Sequence, residues 1–129
     1  GKYINPDVIE GKFTESGFIE NIVVLGENQK YAGAIIVPDF AFLKTWCQKH
    51  EIQFTTPKEM INNAEVKRRY AEEVKKINQN FGDTEKIKRY ELIADEWSVN
   101  NGILTPTLKV KRNVVKEAYK DLIEMMYKD

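Results

Sequence analysis

The sequence is poor in the residues that build disulfides and metal sites. Of its 129 residues, one is cysteine (Cys47) and one is histidine (His50). A single cysteine cannot form an internal disulfide. A structural zinc site needs three or four ligands, so we expect no metal. Cys47 also falls on the apolar stripe of a predicted helix, where a buried thiol is usually inert, so we do not expect catalysis by a Cys47–His50 pair.

Long apolar runs and an excess of charge are also missing. The longest apolar stretches have the length of a β-strand and fall well short of the ~20 residues of a membrane-spanning helix. Basic and acidic residues both number 20, and without a basic excess nothing indicates nucleic-acid binding. The first residues lack the pattern of a secretory signal. We therefore expect a protein of the cytoplasm.

The seven glycines do not form a phosphate-binding loop, because neither Gly-Lys-Thr nor Gly-Lys-Ser occurs. Gly26 and Gly33 are better explained as turn and packing residues. With 42% hydrophobic and 31% charged residues, the composition is that of a globular chain, and its length suits one domain with one core. We therefore treat residues 1–129 as a single small domain.

Two stretches rich in isoleucine and valine, residues 18–25 and 31–37, flank a turn-rich segment and predict a β-hairpin. A third strand is predicted over residues 88–97, with Tyr90 and Leu92 on one face and Ile93 on the other. The expected fold class is α/β (α+β): a small sheet of about three strands flanked by helices. The predicted helices are residues 6–16, the segment that Asp39 caps, the segment that begins after Thr56 and resumes at residue 64, and a final helix capped by Asn113.

The helix predicted over residues 64–81 has a narrow apolar stripe of Tyr70, Val74, Ile77 and Phe81, which is typical of a helix packed on a sheet. Its other faces carry interleaved acids and bases, which indicates a solvated surface rather than a nucleic-acid site. One alternative is left open: this charged helix could serve as a protein-binding surface in a non-enzymatic interaction module.

Residues 100–112 combine a turn, a proline and a group of cations. Asn-Asn-Gly favours a turn, and Pro106 fixes φ and removes a backbone donor. Hydroxyls follow at Thr105 and Thr107, then the cations Lys109, Lys111 and Arg112. Composition alone leaves two readings open, a solvated turn or a loop that presents cations to a phosphate or carboxylate.

The order of residues favours the second reading. Residues 101–112, Asn-Gly-Ile-Leu-Thr-Pro-Thr-Leu-Lys-Val-Lys-Arg, resemble the C-terminal signature of long-chain fatty acid–CoA ligases, which belong to the adenylate-forming superfamily. Residues 1–10 resemble the segment just after the hinge between the large and small domains of these enzymes. The resemblance therefore spans the chain, and we expect a C-terminal lid domain that begins just after the hinge and is part of a larger protein.

The resemblance implies roles for individual residues. Lys109 matches the lysine used for acyl-adenylate formation. Gly1, Lys2 and Tyr3 match the loop that lines the CoA side of the site. Many superfamily relatives have Ser-Gly before the lysine where this chain has Thr107-Leu108, a departure that the long-chain subfamily shares. For Lys111 and Arg112 we expect exposure to solvent, the alternative being assistance in phosphate binding, including the 3′-phosphate of CoA.

The resemblance also implies partners. A large N-terminal adenylating domain on the same polypeptide would hold ATP, Mg²⁺ and the fatty acid, with CoA as the second substrate. None of these is expected to be bound by this domain alone, and we expect it to be inert in isolation. A lid of a ligase for another carboxylic acid would look the same here, and peripheral association of the parent protein with a membrane is left open.

Overall fold

A three-stranded sheet lies at the centre of the computed structural model, which describes residues 4–128. Strands β1 and β2 are antiparallel neighbours, and β3 pairs with β2 in parallel on its other side. The elements in chain order are α1 (Pro6–Phe13), β1 (Ile19–Leu25), β2 (Ala32–Pro38), α2 (Phe40–Lys49), α3 (Pro57–Asn62), α4 (Ala64–Asn78), β3 (Ile87–Leu92), α5 (Arg112–Ala118) and α6 (Lys120–Tyr127). The predicted fold class and hairpin are confirmed.

Both faces of the sheet are buried. Along β2, Ala34 and Ile36 contribute to one apolar core, and Ile35 and Val37 to the other. Helices α1 to α4 supply side chains to the first core, whereas residues from Ile93 onward, including α5 and α6, cover the second. Burial on both faces explains why the hairpin strands are nearly continuous in apolar residues.

The helix starts follow the capping signals in the sequence. The side chains of Asn5, Asp39 and Thr56 each accept a backbone N–H in the first turn of α1, α2 and α3, respectively. The predicted break at residues 62–63 is also present. Asn63 accepts the N–H groups of Glu65 and the residue after it, and so caps α4. These caps satisfy donors that a helix start leaves unpaired.

The apolar stripe of α4 packs against the sheet as predicted. Tyr70 is fully buried and donates its hydroxyl to the carbonyl of Phe18 at 2.7 Å. Val74 and Ile77 are also buried. Phe81 lies beyond the end of α4, where its ring stacks on that of Phe13 with centroids 6.4 Å apart. The helix is therefore shorter than the stripe that predicted it.

Other predicted boundaries were also wrong. Helix α1 ends at Phe13 rather than residue 16, and β3 ends at Leu92 rather than residue 97. The final helix begins at Arg112, one residue before the predicted cap Asn113. That helix is also divided at Tyr119, which leaves helical geometry at φ −113°. Contacts of the Arg112 and Tyr119 side chains, described below, account for the last two differences.

Candidate functional site

Residues 103–111 form a small antiparallel hairpin, here called the lysine hairpin. At its base the N–H of Lys111 donates to the carbonyl of Ile103 at 2.7 Å, and nearer the tip the N–H of Thr105 donates to the carbonyl of Lys109 at 2.8 Å. Leu104 is buried in the second core and anchors the hairpin to the sheet. The loop that the sequence predicted is thus an ordered element with its own hydrogen bonds.

The tip of the lysine hairpin is a tight turn around Pro106. The N–H of Leu108 donates to the carbonyl of Thr105 at 2.7 Å and closes the turn. Leu108 then adopts φ +66°, the left-handed geometry that follows the turn in three-residue hairpin loops and that glycine adopts most easily. For a residue with a Cβ this geometry costs about 1–2 kcal/mol. Leu108 is therefore a strained residue.

The threonine hydroxyls brace this turn internally. The Oγ1 atom of Thr105 accepts the N–H of Lys109 at 3.1 Å and lies 3.1 Å from Oγ1 of Thr107. The backbone of Lys109 is thus held from two directions. Its N–H donates to the Thr105 hydroxyl, and its carbonyl accepts the N–H of Thr105. The Thr105 hydroxyl therefore positions the lysine.

The side chain of Lys109 is exposed at the end of this braced hairpin. Within residues 4–128 its ammonium group forms no ion pair or hydrogen bond. A lysine on a rigid backbone with an unpaired ammonium is available to an anion brought to it, since its long flexible stem can adapt to the anion's position. Lys111 is also exposed, and its part in phosphate binding stays untested.

Arg112 corrects the sequence analysis, because the expectation that it faces solvent is wrong. Its side chain is only 27% exposed. Nη1 donates to Oε2 of Glu10 at 2.6 Å and to the carbonyl of Val24 at 2.9 Å, while Nη2 donates to Oε1 of Glu10 at 3.1 Å and to Asp7 at 3.3 Å. The hydrogen bonds that Arg112 donates to Glu10 raise the pKa of Arg112, although its burial opposes them. Arg112 is therefore a structural cation.

The turn before the lysine hairpin is held by Asn101. Its Oδ1 accepts the N–H groups of Ser98 and Ile103 at 3.1 and 3.2 Å, and its Nδ2 donates to the carbonyl of Glu96 at 2.7 Å. Gly102 follows at φ +83°. The Asn-Asn-Gly turn predicted from the sequence is confirmed, and it lies directly before the hairpin.

A half-buried tyrosine behind the hairpin was missed by the sequence analysis. Tyr119 receives the indole N–H of Trp97 at 3.0 Å and donates its hydroxyl to Oδ2 of Asp95 at 2.7 Å. This chain of contacts ties the segment between β3 and the lysine hairpin to the break between α5 and α6. No spacing rule links these residues, because Trp97 and Tyr119 lie on different elements.

Gly1, Lys2 and Tyr3, for which the resemblance implies a place on the CoA side, lie outside the described residues. The first described residue, Ile4, packs against the first core, and its Cδ1 would lie 2.9 Å from a Cβ added at Gly26. Ile4 therefore lies beside the end of β1.

The surroundings of Cys47 and His50 indicate structural roles for both residues. Cys47 is fully buried, and burial raises the pKa of its thiol, which disfavours the reactive thiolate. The His50 ring lies 4.2 Å from the ring of Trp46. Among residues 4–128, no three side chains of histidine, cysteine, aspartate or glutamate converge on a common point suited to a metal ion.

Over the same residues, no helix is both long and apolar enough to cross a bilayer.

Comparison with known proteins agrees with this arrangement. A family model described as the AMP-binding enzyme C-terminal domain matches residues 1–129. Human long-chain-fatty-acid–CoA ligase 6 is 33% identical over 130 residues, which cover 98% of this chain and 18% of the ligase. The peroxisomal long chain acyl-CoA synthetase 6 of Arabidopsis thaliana is 28% identical over 132 residues, which cover 100% of this chain and 19% of that protein. The chain thus spans about a fifth of the length of the curated relatives it matches.

Among solved structures, the A domain of the carboxylic acid reductase from Segniliparus rugosus, in complex with AMP and a co-purified carboxylic acid, matches with a TM-score of 0.76. Sequence identity is 22%, and the match covers 98% of this chain and 18% of that one. At that identity the likeness supports the fold alone. The whole-length family match decides the class: this chain belongs to the family of AMP-binding enzyme C-terminal domains.

Proposed function

We propose that this domain is the mobile C-terminal lid of an AMP-forming long-chain fatty acid–CoA ligase, and that Lys109 is its adenylation lysine. The observation that carries the proposal is the exposed ammonium of Lys109, which has no partner within residues 4–128, on a hairpin whose backbone is braced from two directions. The family match and the ligase relatives support the reaction class.

Adenylate formation explains why a lysine belongs there. The carboxylate oxygen of the fatty acid attacks the α-phosphorus of ATP, the bond to pyrophosphate breaks, and acyl-AMP and pyrophosphate are formed. Both reactants are anionic, and negative charge builds on the phosphoryl oxygens in the transition state. A fixed cation placed against these oxygens lowers the repulsion and stabilises that charge. Lys109 reaches such a site only if the lid closes over the domain that holds the substrates.

The second half-reaction is thioester formation, in which the thiol of CoA attacks the acyl-AMP carbonyl and AMP leaves. We assign the CoA side of the site to Gly1, Lys2 and Tyr3. A lid that rotates between two orientations would present Lys109 for the first step and this segment for the second, which allows one site to run both half-reactions.

The large domain on the same polypeptide would supply most of the site. We assign ATP, CoA and Mg²⁺ to the full-length enzyme, and we derive no step of this domain through the metal because no suitable ligand group converges within residues 4–128. The domain alone is then inert. We place the parent enzyme in the cytoplasm, with its membrane association as a separate question.

The test uses the full-length ligase that carries this domain, as wild type, Lys109→Ala and Lys111→Ala. Pyrophosphate release from ATP with palmitate follows the first half-reaction, and thioester formation from preformed palmitoyl-adenylate and CoA follows the second. We expect Lys109→Ala to slow the first by about a hundredfold or more and to leave the second within a fewfold of wild type.

Lys111→Ala is the matched control, since it removes another exposed lysine from the same hairpin that has no assigned part in adenylation. Pyrophosphate release that survives Lys109→Ala, or that falls equally in both variants, would refute the proposal. Acyl-CoA synthesis by the isolated domain would refute its predicted inertness.

A further inference from the structure

Arg112 joins three segments of the chain at the base of the lysine hairpin. It directly follows Lys111, the last residue of the hairpin, and its guanidinium contacts Glu10 of α1 and the carbonyl of Val24 in β1. Arg112 and Glu10 are 102 residues apart in the sequence. A planar guanidinium can make these directed contacts at once because its donors are held in a rigid fork.

The position of β1 explains why this contact exists. As an edge strand, β1 has backbone groups that the sheet does not pair, and such groups need partners when they are covered. The N–H of Val24 donates to Oε2 of Glu10 at 2.7 Å, and its carbonyl accepts from Arg112 at 2.9 Å. The Glu10–Arg112 pair thus takes the place of a neighbouring strand at this residue.

The pair also connects the two segments to which the proposed function assigns chemistry. Helix α1 starts at Pro6, directly after the segment that contains Gly1, Lys2 and Tyr3, and Arg112 directly follows the hairpin that carries Lys109. Buried Leu104 holds the hairpin on one side, but within the described residues Arg112 provides the hydrogen-bonded link from its base to α1.

We infer that Arg112 is a positioning residue, which through Glu10 and Val24 keeps the lysine hairpin and helix α1 in one rigid unit and so sets where Lys109 enters the adenylation site. This inference rests on the proposed function. Its energetic basis is that catalysis by a positioned group falls steeply with displacement, by about a hundredfold for ~1 Å. The large domain binds the substrates, so the effect should appear in kcat rather than in KM.

The chain offers a matched control for loss of stability. Arg69 forms an ion pair with Glu73 at 2.9 Å, and its side chain is 28% exposed, against 27% for Arg112. Arg69 lies on α4, which packs on the first core, whereas Leu104 anchors the lysine hairpin in the second core. Arg69→Met therefore removes a similar half-buried arginine–glutamate pair without touching the lysine hairpin.

In the full-length ligase, we expect Arg112→Met to lower kcat for pyrophosphate release about ten- to a hundredfold, with KM for ATP and palmitate within twofold of wild type. Arg112→Lys should recover part of the loss, because it retains the charge facing Glu10 but not the fork. Arg69→Met should leave kcat within twofold. If Arg112→Met and Arg69→Met have the same kcat, the inference is overturned.

Hydrogen exchange supplies a readout that does not depend on activity. The N–H groups of Thr105 and Lys111 close the lysine hairpin, and in Arg112→Met we expect them to exchange faster while the amides of α4 keep wild-type rates. Unchanged exchange in the hairpin would overturn the inference. If Arg112→Met does not fold, Glu10→Gln replaces it, with the same direction of change expected and the same results counting against the inference.

The outcomes also separate this inference from the proposed function. Loss of pyrophosphate release in Lys109→Ala, with full activity in Arg112→Met, would refute the positioning role alone. Retention of activity in Lys109→Ala would refute the proposed function itself, and the positioning role with it.

Discussion

Trp97 donates its indole N–H to the hydroxyl of Tyr119 at 3.0 Å, and the rings of the two residues lie 6.0 Å apart. The same hydroxyl donates onward to Asp95 at 2.7 Å. Tyr119 therefore satisfies a buried tryptophan and links the segment before the lysine hairpin to the break between α5 and α6. Trp97 precedes the lysine hairpin in the sequence, whereas Arg112 follows it, so the two residues hold the two ends of the hairpin.

Removing this hydroxyl should destabilise the domain. Tyr119→Phe leaves the indole N–H of Trp97 without its acceptor, and an unsatisfied buried donor costs about 1–3 kcal/mol. We expect the free energy of unfolding in urea, followed by circular dichroism, to fall by that amount. Tyr90→Phe is the control, since within residues 4–128 the Tyr90 hydroxyl makes no hydrogen bond. Equal stability of the two variants would contradict the assigned role of Tyr119.

Tyr119 and Tyr127 should ionise late in alkaline solution. Burial is the main cause that raises the pKa of both Tyr119 and Tyr127 from 10.0 to about 12. In each case the folded state holds its proton more tightly than the unfolded chain does. The stability that these groups contribute is therefore fully present below pH 10 and is lost as the pH rises towards 12.

Absorbance of phenolate during a pH titration measures this effect. We expect a step near pH 12 that becomes smaller in Tyr127→Phe. The Tyr127 hydroxyl is held by the carbonyls of Leu25 and Tyr31 at 3.2 and 3.0 Å. A titration complete by pH 11 while the protein is still folded would be inconsistent with this environment.

Leu108 stores strain that glycine would relieve. Its φ of +66° and 66% exposure mean that the side chain adds strain while burying little surface. Because glycine also gains freedom in the unfolded chain, we expect Leu108→Gly to be only about 0.5–1 kcal/mol more stable than Leu108→Ala, which keeps the Cβ and the strain. Thermal unfolding of the pair measures the difference. A less stable glycine variant would disprove the strain.

The sequence predicted the local features well, because each depends on neighbouring residues. The caps at Asn5, Asp39 and Thr56, the hairpin of β1 and β2, and the turn at Asn101 all follow from short-range chemistry. The family resemblance is the basis on which we propose Lys109 as a site residue, since its exposure alone does not distinguish it from other lysines.

The same reasoning did not predict contacts between residues that are far apart in the sequence. Arg112 looked like another exposed cation of a basic run, because nothing near it in the sequence announces a partner 102 residues away. The predicted extent of the final helix was wrong for a related reason. Tyr119 interrupts the final helix where its hydroxyl is engaged by Trp97 and Asp95, and periodicity alone would have continued through it.

The covering of the sheet has a consequence for biosynthesis. The core that contains Ile35 and Val37 is completed by residues from Ile93 onward, with Phe40 at its margin. A ribosome synthesises the chain from its N-terminus, so this face of strands β1 and β2 stays open to water until the residues from Ile93 onward have emerged. The parallel partner β3 also joins β2 only after the intervening helices have been made. The nascent domain is therefore most exposed to aggregation and most in need of chaperones just before its synthesis ends.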